Sequence, residues 1–427
     1  MPNPCHIIGV LDNGAEGLSA DALRLIGAAD LVIGATRTLA LFKEHVQPEA
    51  DCRDLTARLA QTPEWIDQAR QQGRRVVVLA TGDPLCHGVA AYLIGKLGRA
   101  DVSVIPNVSM IQLACARLAL PWQELAVGSV HATDAGEWFP GATPAHGMYR
   151  LLQLLRQNRL TGVFTSPENG PDRIARMLMM EGLAADYDIA VAEHLLLPTE
   201  RVHDWRSVAD VAASKHATPN MTLVRRVQDQ SRPLFGLADE DYEQRTPEKG
   251  LITRREIRAV SLARMGLRPG AIVWDIGAGS GSVGLEAARL CGQGHVYAIE
   301  KNAVDVQIAL SNRARMQIGN YTLFHGKAPE GLDAWPDPHA VFIGGSGGEL
   351  AELIRLSLDR LQEGGWLVMN FVTLENLTTA VATLKVLKAR WDVTQLQCAR
   401  SRPILDMNRM QAENPVWIIS ATRGHDD

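Results

Sequence analysis

The stretch AIVWDIGAGSGSVGLEAARLC, residues 271–291, constrains this 427-residue chain more than any other. AIVWDI (271–276) reads as a strand and SVGLEAARLC (282–291) as a helix, with only G-A-G-S-G between them. A strand that turns through glycines straight into a helix opens a crossover unit. The apolar run HVYAIE supplies the next strand, so the region has to build a parallel sheet with helices on its faces. Glycines in that turn let backbone approach a ligand closely. A dinucleotide fingerprint, G-x-G-x-x-G, would place its third glycine at position 282, which is Ser282, and this disfavours a nicotinamide oxidoreductase. The pattern present is D-x-G-x-G-x-G, beginning at Asp275, and Glu300 ends the following strand. An acid at that strand end can accept hydrogen bonds from both hydroxyls of a ribose, so the pair of features points to a nucleoside ligand.

Short apolar runs alternate with helical patterns through the rest of the chain. HIIGV, SADALRLIGAAD, LVIG, RRVVVLATG and VAAYLIGKLG follow one another in this way, which predicts α/β layers with mainly parallel sheets. The chain is too long for one core. The segment DQSRPLFGLADEDYEQRTPEK is polar, acidic and without sustained periodicity. It predicts a linker at 229–249 between domains at 1–228 and 250–427, with a further split of the first domain near Pro121. The net charge of -5 gives no general nucleic-acid footprint. Arginines outnumber lysines 35 to 8, which suits an acidic substrate and equally reflects a codon-biased genome. Six cysteines (Cys5, Cys52, Cys86, Cys115, Cys291, Cys398) form no C-x-x-C pair. With no signal-peptide or membrane-helix pattern, a cytoplasmic protein without membrane partner is expected. His87, His131, His194 and His325 show no metal spacing, so no metal is expected.

The glycine loop resembles the first motif of the class I S-adenosylmethionine methyltransferases. "EKGLITRREIRAVSLARMGLRPGAIVWDIGAGSGSVGLEAA" together with "FIGGSGGEL" is more specific, and resembles the decarboxylating half of the precorrin-6Y C5,15-methyltransferase family. The resemblance implies cofactor contacts from Thr253, Asp275, Gly277, Ala278, Gly279, Ser280, Gly281, Glu300 and Ala328. Gly344, Gly345, Ser346 and Gly347 would face the methyl acceptor. Lys327 stands where that family commonly has Asp, which leaves the contact to the adenine to backbone at Ala328. Thr253 and Glu256 also spell a T-x-x-E capping box, a helix start compatible with a turn closing over the ligand.

In the first half, RVVVLATGDPLCHGVAAYL reads as strand, turn and helix, with Asp83 as N-cap and Pro84 as first helical residue. HIIGV…GAEGLSADALRLIGAADLVIGATRTLALF, VSVIPNVSMIQLACARLALPW, SVHATD, AVAEHLLLPTERV and PNMTLV resemble, in order, the tetrapyrrole (class III) methylases. That resemblance implies two α/β subdomains and cofactor contacts at Gly82, Asp83 and Pro84, followed by a Rossmann-like class I domain. Leu11, Thr38 and Ala132 depart from the family pattern.

Together the resemblances imply methylation of a precorrin ring at C-5 by the first domain and at C-15 by the second, with loss of the C-12 acetate as carbon dioxide. They imply two S-adenosylmethionine molecules per turnover, one per domain, and a homo-oligomer. The donor is activated, so the protein mainly positions it and excludes water, and no catalytic side chain is assigned. A substrate rich in carboxylates calls for arginines, with Arg254, Arg255, Arg400 and Arg402 as candidates. Two alternatives remain: a single-site methyltransferase acting on RNA or a small molecule, and a first domain that is a degenerate binding module.

Overall fold

The computed structural model describes residues 3–228, 233–245 and 252–424. They fall into two compact units, each assembled from three segments. Residues 1–135, 158–175 and 186–227 make the first unit, and 136–157, 176–185 and 228–427 the second.

The first unit holds two five-stranded sheets. Strands β1 (Cys5–Val10), β2 (Leu31–Gly34), β3 (Asp51–Asp54), β4 (Val76–Thr81) and β5 (Val102–Ile105) pair in the order β3-β2-β4-β1-β5, all parallel. β2 is buried at every position, as a strand covered by helices on both faces must be. Ser19 starts the helix Ala20–Gly27 by accepting from the Ala22 N–H at 3.2 Å. On the far side of Pro121 lie β6 (Leu125–Ser129), β7 (Leu160–Phe164), β8 (Tyr187–Glu193), β9 (Arg201–Ser207) and β10 (Asn220–Arg226). Their order is β6-β7-β10-β8-β9, and only β6 and β7 run parallel. This corrects the expectation of mainly parallel sheets for that half. β8 is buried at six of its seven positions, so its apolar run reads like a parallel-core strand although both of its neighbours are antiparallel.

The second unit is built on β11 (Ile272–Ile276), β12 (His295–Glu300), β13 (Tyr321–His325), β14 (Ala340–Ile343), β15 (Trp366–Phe371), β16 (Arg390–Leu396) and β19 (Val416–Thr422), with a separate hairpin of β17 (Ala399–Ile404) and β18 (Met407–Ala412). The main sheet runs β13-β12-β11-β14-β15-β19-β16; the first five strands are parallel, β19 runs against them, and β16, antiparallel to β19, points the same way as the first five. Val273 contributes to one core layer, Trp274 and Ile276 to the other, the period-2 alternation of a strand with helices on both faces. Strand order reverses at β11, between β12 and β14, and in open α/β sheets this switch point is where ligands bind.

The described part of the expected linker, 233–245, is packed onto this unit. Leu237 and Tyr242 are buried in its core. The N–H groups of Gly236 and Leu237 donate to Glu286 at 2.6 and 3.1 Å, and the Tyr242 hydroxyl donates to the same carboxylate at 2.9 Å. Opposite stands Arg258 on the helix Arg255–Arg264. Its Nε donates to Glu286 Oε1 at 2.7 Å, and both side chains are 0% exposed. The unit also includes the helix Tyr149–Gln157, whose Tyr149 hydroxyl lies 2.7 Å from His295 Nδ1.

Removing one member of a fully enclosed ion pair strands the other without water. Arg258→Met therefore lowers stability by about 3–5 kcal/mol, measured by urea unfolding of the full chain. Adding Glu286→Leu does not restore it, because the Gly236 and Leu237 N–H groups then lose their acceptor.

Candidate active site

At the end of β11 the chain enters the glycine loop. Gly277 has φ +73°, and a Cβ on it would stand 2.4 Å from the Gly345 carbonyl oxygen, so the loop lies directly against the GGSGG turn that follows β14. Gly281, at φ +78°, is the N-cap of the helix Ser282–Leu290. Glu300 fastens the loop from the next strand end: Oε2 accepts from the Gly279 N–H at 2.9 Å and Oε1 from the Asn302 N–H at 2.8 Å. Two backbone donors fix the carboxylate in place and leave it further lone pairs for a ligand.

Around this point opens a cavity of about 330 Å³, within the range of small-molecule sites. Its wall includes six residues expected from sequence: Gly277, Glu300, Ala328, Gly345, Ser346 and Gly347. It also includes Arg245, Lys301, Asn302, Asp305 and Lys327. Lys301 and Lys327 bracket the acceptor turn, since a Cβ on Gly347 would stand 3.6 Å from the Lys301 Nζ and 3.4 Å from the Lys327 Cε. Lys327 Nζ is bonded to Glu349 Oε1 at 2.8 Å, and that contact holds the Glu349 carboxyl below its ordinary value. Arg245 Nη2 donates to Asp305 Oδ2 at 2.8 Å, while burial, its first cause, pushes the Asp305 carboxyl up. Sequence reading missed Arg245 and Asp305; the 60 residues between them carry no pattern that announces the pairing.

The other expected residues stand behind the wall. Gly279 is engaged with Glu300, and the Ser280 carbonyl accepts from Asn312 at 2.9 Å. Ala278, Gly281 and Gly344 belong to the two turns without lining the cavity. Thr253 gives its carbonyl to Arg258. The T-x-x-E capping box does not form: Arg254 is the N-cap, with no side-chain cap bond, and Glu256 pairs instead with Arg400. Arg254 lies 3.7 Å from Asp239, and Arg400 donates to the same carboxylate at 2.8 Å. Neither they nor Arg255 and Arg402 are on the cavity wall.

The first unit has a cavity of its own, about 370 Å³, at the carboxyl ends of β4, β6, β7 and β8. Thr81, Ser129, His131, Phe164 and Thr165 line it, with His87 and Gly88 from the turn after β4. His131 Nδ1 lies 2.7 Å from the Thr165 carbonyl, which can only accept, so this nitrogen donates. Gly82, Asp83 and Pro84 sit on the same turn but not on the wall. Asp83 is not the helix cap. Its Oδ1 accepts from the Leu85 N–H at 2.9 Å in a local turn, and the helix Val89–Leu97 starts from Gly88. A Cβ on Gly88 would meet the Pro84 carbonyl at 2.4 Å, so the chain folds back on itself before the helix can begin.

Residues 246–423 match the precorrin methyltransferase domain family and residues 4–207 the tetrapyrrole (corrin/porphyrin) methylases. A Sinorhizobium protein named precorrin-6Y C(5,15)-methyltransferase (decarboxylating) is 30% identical over 420 residues, covering 98% of this chain and 96% of that one. The cobalt-precorrin-6B C(15)-methyltransferase (decarboxylating) of Salmonella typhimurium is 37% identical over 173 residues, 40% of this chain and 89% of that protein. A crystal structure described as precorrin-6y C5,15-methyltransferase from Geobacter metallireducens GS-15 is 38% identical, covers 45% of this chain and 100% of its own, and has a TM-score of 0.43.

Beneath the glycine loop lies Asp275, 1% exposed. Its Oδ2 accepts from the Gly284 N–H at 3.1 Å, and Oδ1 has no partner among the described residues. Burial pushes its carboxyl up to about 7; the Gly284 N–H opposes the rise and the Glu300 charge adds to it. A carboxyl raised in this way contributes stability that is complete below its unfolded value of 3.8 and is lost as pH climbs through about 7. Asp275→Asn keeps the acceptor for Gly284 and cannot ionise. Thermal melts of the variant should therefore fall less steeply between about pH 4 and 7 than those of the parent.

Proposed function

The chain belongs to the precorrin-6Y C(5,15)-methyltransferase (decarboxylating) family, and on that premise we propose that it methylates a precorrin ring at C-5 and C-15 and releases the C-12 acetate carboxyl as carbon dioxide, converting precorrin-6B to precorrin-8X in cobalamin biosynthesis. The observation that carries the reading is a separate cavity in each unit, both at strand carboxyl ends. The first unit takes the C-5 methylation, and the second the C-15 methylation with decarboxylation. Each binds one S-adenosylmethionine, so two are used per turnover.

When bound, S-adenosylmethionine supplies a methyl group on a sulfonium, already activated for in-line displacement. The residues present in the second unit suit it: Gly277 offers backbone with no side chain in the way, and Glu300 offers a fixed carboxylate to a ribose. Gly345, Ser346 and Gly347 line the acceptor side. Lys301 and Lys327 put two ammonium groups where an acidic ring would enter. A substrate carboxylate would take the place of Glu349 on Lys327 and orient the ring against the methyl donor. A cytoplasmic homo-oligomer is part of this reading. Free cysteines (Cys5 and Cys291 among them) support the compartment, and exposed Leu405, Met407 and Met410 on the β17–β18 hairpin support the assembly.

Calorimetric titration of S-adenosylhomocysteine into the full chain tests the two-site arrangement. Two sites per chain are expected, with one lost in Gly277→Ala and the other in Ser129→Trp, which fills the first cavity. A single site in the parent, lost in Gly277→Ala, would instead leave the first unit as a binding module without a methyl donor. Lys327→Ala should raise the precorrin KM roughly tenfold, the worth of one charge-assisted bond, with S-adenosylhomocysteine affinity unchanged.

A further inference from the structure

Outside both cavities, three side chains of the first unit converge on one point. Glu193 closes β8, His203 lies on β9, and His216 follows the short helix Val208–Ala212. In the ladder Glu193 faces Arg201 and Val191 faces His203, which sets Glu193 and His203 diagonally across the pair. Glu193 Oε1 stands 3.3 Å from His203 Nε2 and 3.0 Å from His216 Nδ1. The candidate donor atoms of all three lie within 4.8 Å of one another. The two imidazoles meet edge to face at 5.2 Å.

We propose that Glu193, His203 and His216 form a binding site for a divalent transition-metal ion, zinc in the first instance. Zinc takes imidazole nitrogen and carboxylate oxygen at about 2.0–2.1 Å, and a tetrahedron of that size sets its donor atoms roughly 3.3 Å apart. Two edges of such a tetrahedron are already present. Among the described residues the side chains paired with Glu193 are these two imidazoles, with no guanidinium or ammonium competing for it, and the Ala217 N–H also donates to Oε1 at 3.1 Å. The His216 side chain is 1% exposed, and its Nε2 has no partner among the described residues, so Glu193 supplies the ring's polar engagement. His203 is 27% exposed, which gives an ion its way in and leaves a fourth position to water.

The three ligands do not line the 370 Å³ cavity, but their chain neighbours do: Ala192 precedes Glu193, and Pro219, Asn220 and Met221 follow His216. An ion here fastens the end of β8 to the segment leading into β10, and so steadies that wall as a structural clip. The sequence carried no sign of it and pointed to no metal. The ligands lie ten and thirteen positions apart along the chain; the β8–β9 register brings Glu193 and His203 together, and the segment after the helix Val208–Ala212 adds His216.

The test is titration of zinc chloride into the chelator-treated, dialysed full chain, followed by calorimetry and thermal melting. Expected are one ion per chain, a zinc-dependent rise in Tm, and affinity at least tenfold weaker in both His216→Ala and His203→Gln. The second variant changes a part-exposed side chain and keeps the test sound if the first fails to fold. Cobalt(II) should give the visible absorption of a four-coordinate site in the parent and lose it in His203→Gln. No binding up to about 100 µM zinc, or equal affinity in parent and His203→Gln, overturns the proposal.

Discussion

A carboxylate and a guanidinium that never meet water decide where the second unit's cavity is walled. Glu286 gathers Arg258, the Tyr242 hydroxyl and two backbone N–H groups, while Arg258 reaches on to the carbonyls of Leu237 and Thr253 and to Asp239. Enclosing two charges is costly, and the geometry offsets that cost by satisfying the donors and acceptors of a segment that would otherwise lie loose. The described part of the same segment includes Arg245, on the cavity wall. A polar stretch between two halves of the sequence is thus drawn into the core of one of them, and further along it Glu243 bonds Asn312 and Arg245 bonds Asp305.

The main sheet of the second unit was legible because few chain paths satisfy a strand, a glycine turn and a helix in immediate succession. Asp275, Gly277 and Glu300 fall at the strand ends and turn that this grammar describes, and Ser282 counts against the dinucleotide alternative. The wall residues outside the motif were not legible. Lys327 stood out only as a departure, and its position beside Lys301 depends on the parallel pairing of β12 with β13. Arg245 and Asp305, 60 positions apart, carry no local pattern that announces their pairing.

In the first unit, local chemistry misled in one place and was silent in another. Asp83-Pro84 has the composition of a helix start, yet Asp83 satisfies the Leu85 N–H instead and the helix waits for Gly88. The antiparallel neighbours of β8 were silent, since burial on both faces erases the alternation that would have marked them. The Glu193–His203–His216 cluster is the extreme case: the β8–β9 register joins the first two, and the segment after the helix Val208–Ala212 brings the third.

The helix Tyr149–Gln157 belongs to the second unit, and its Tyr149 hydroxyl meets His295, a residue 146 positions further along. On a ribosome adding about 5–20 residues per second, that partner emerges roughly 7–30 s later. Tyr149, Leu151, Leu152 and Leu155 are buried in the finished protein, and the Tyr149 contact with His295 is missing throughout the interval. The nascent chain therefore completes that contact only after the second unit's β12 has been made, and a gene divided between positions 229 and 249 would put Tyr149 and His295 on different polypeptides.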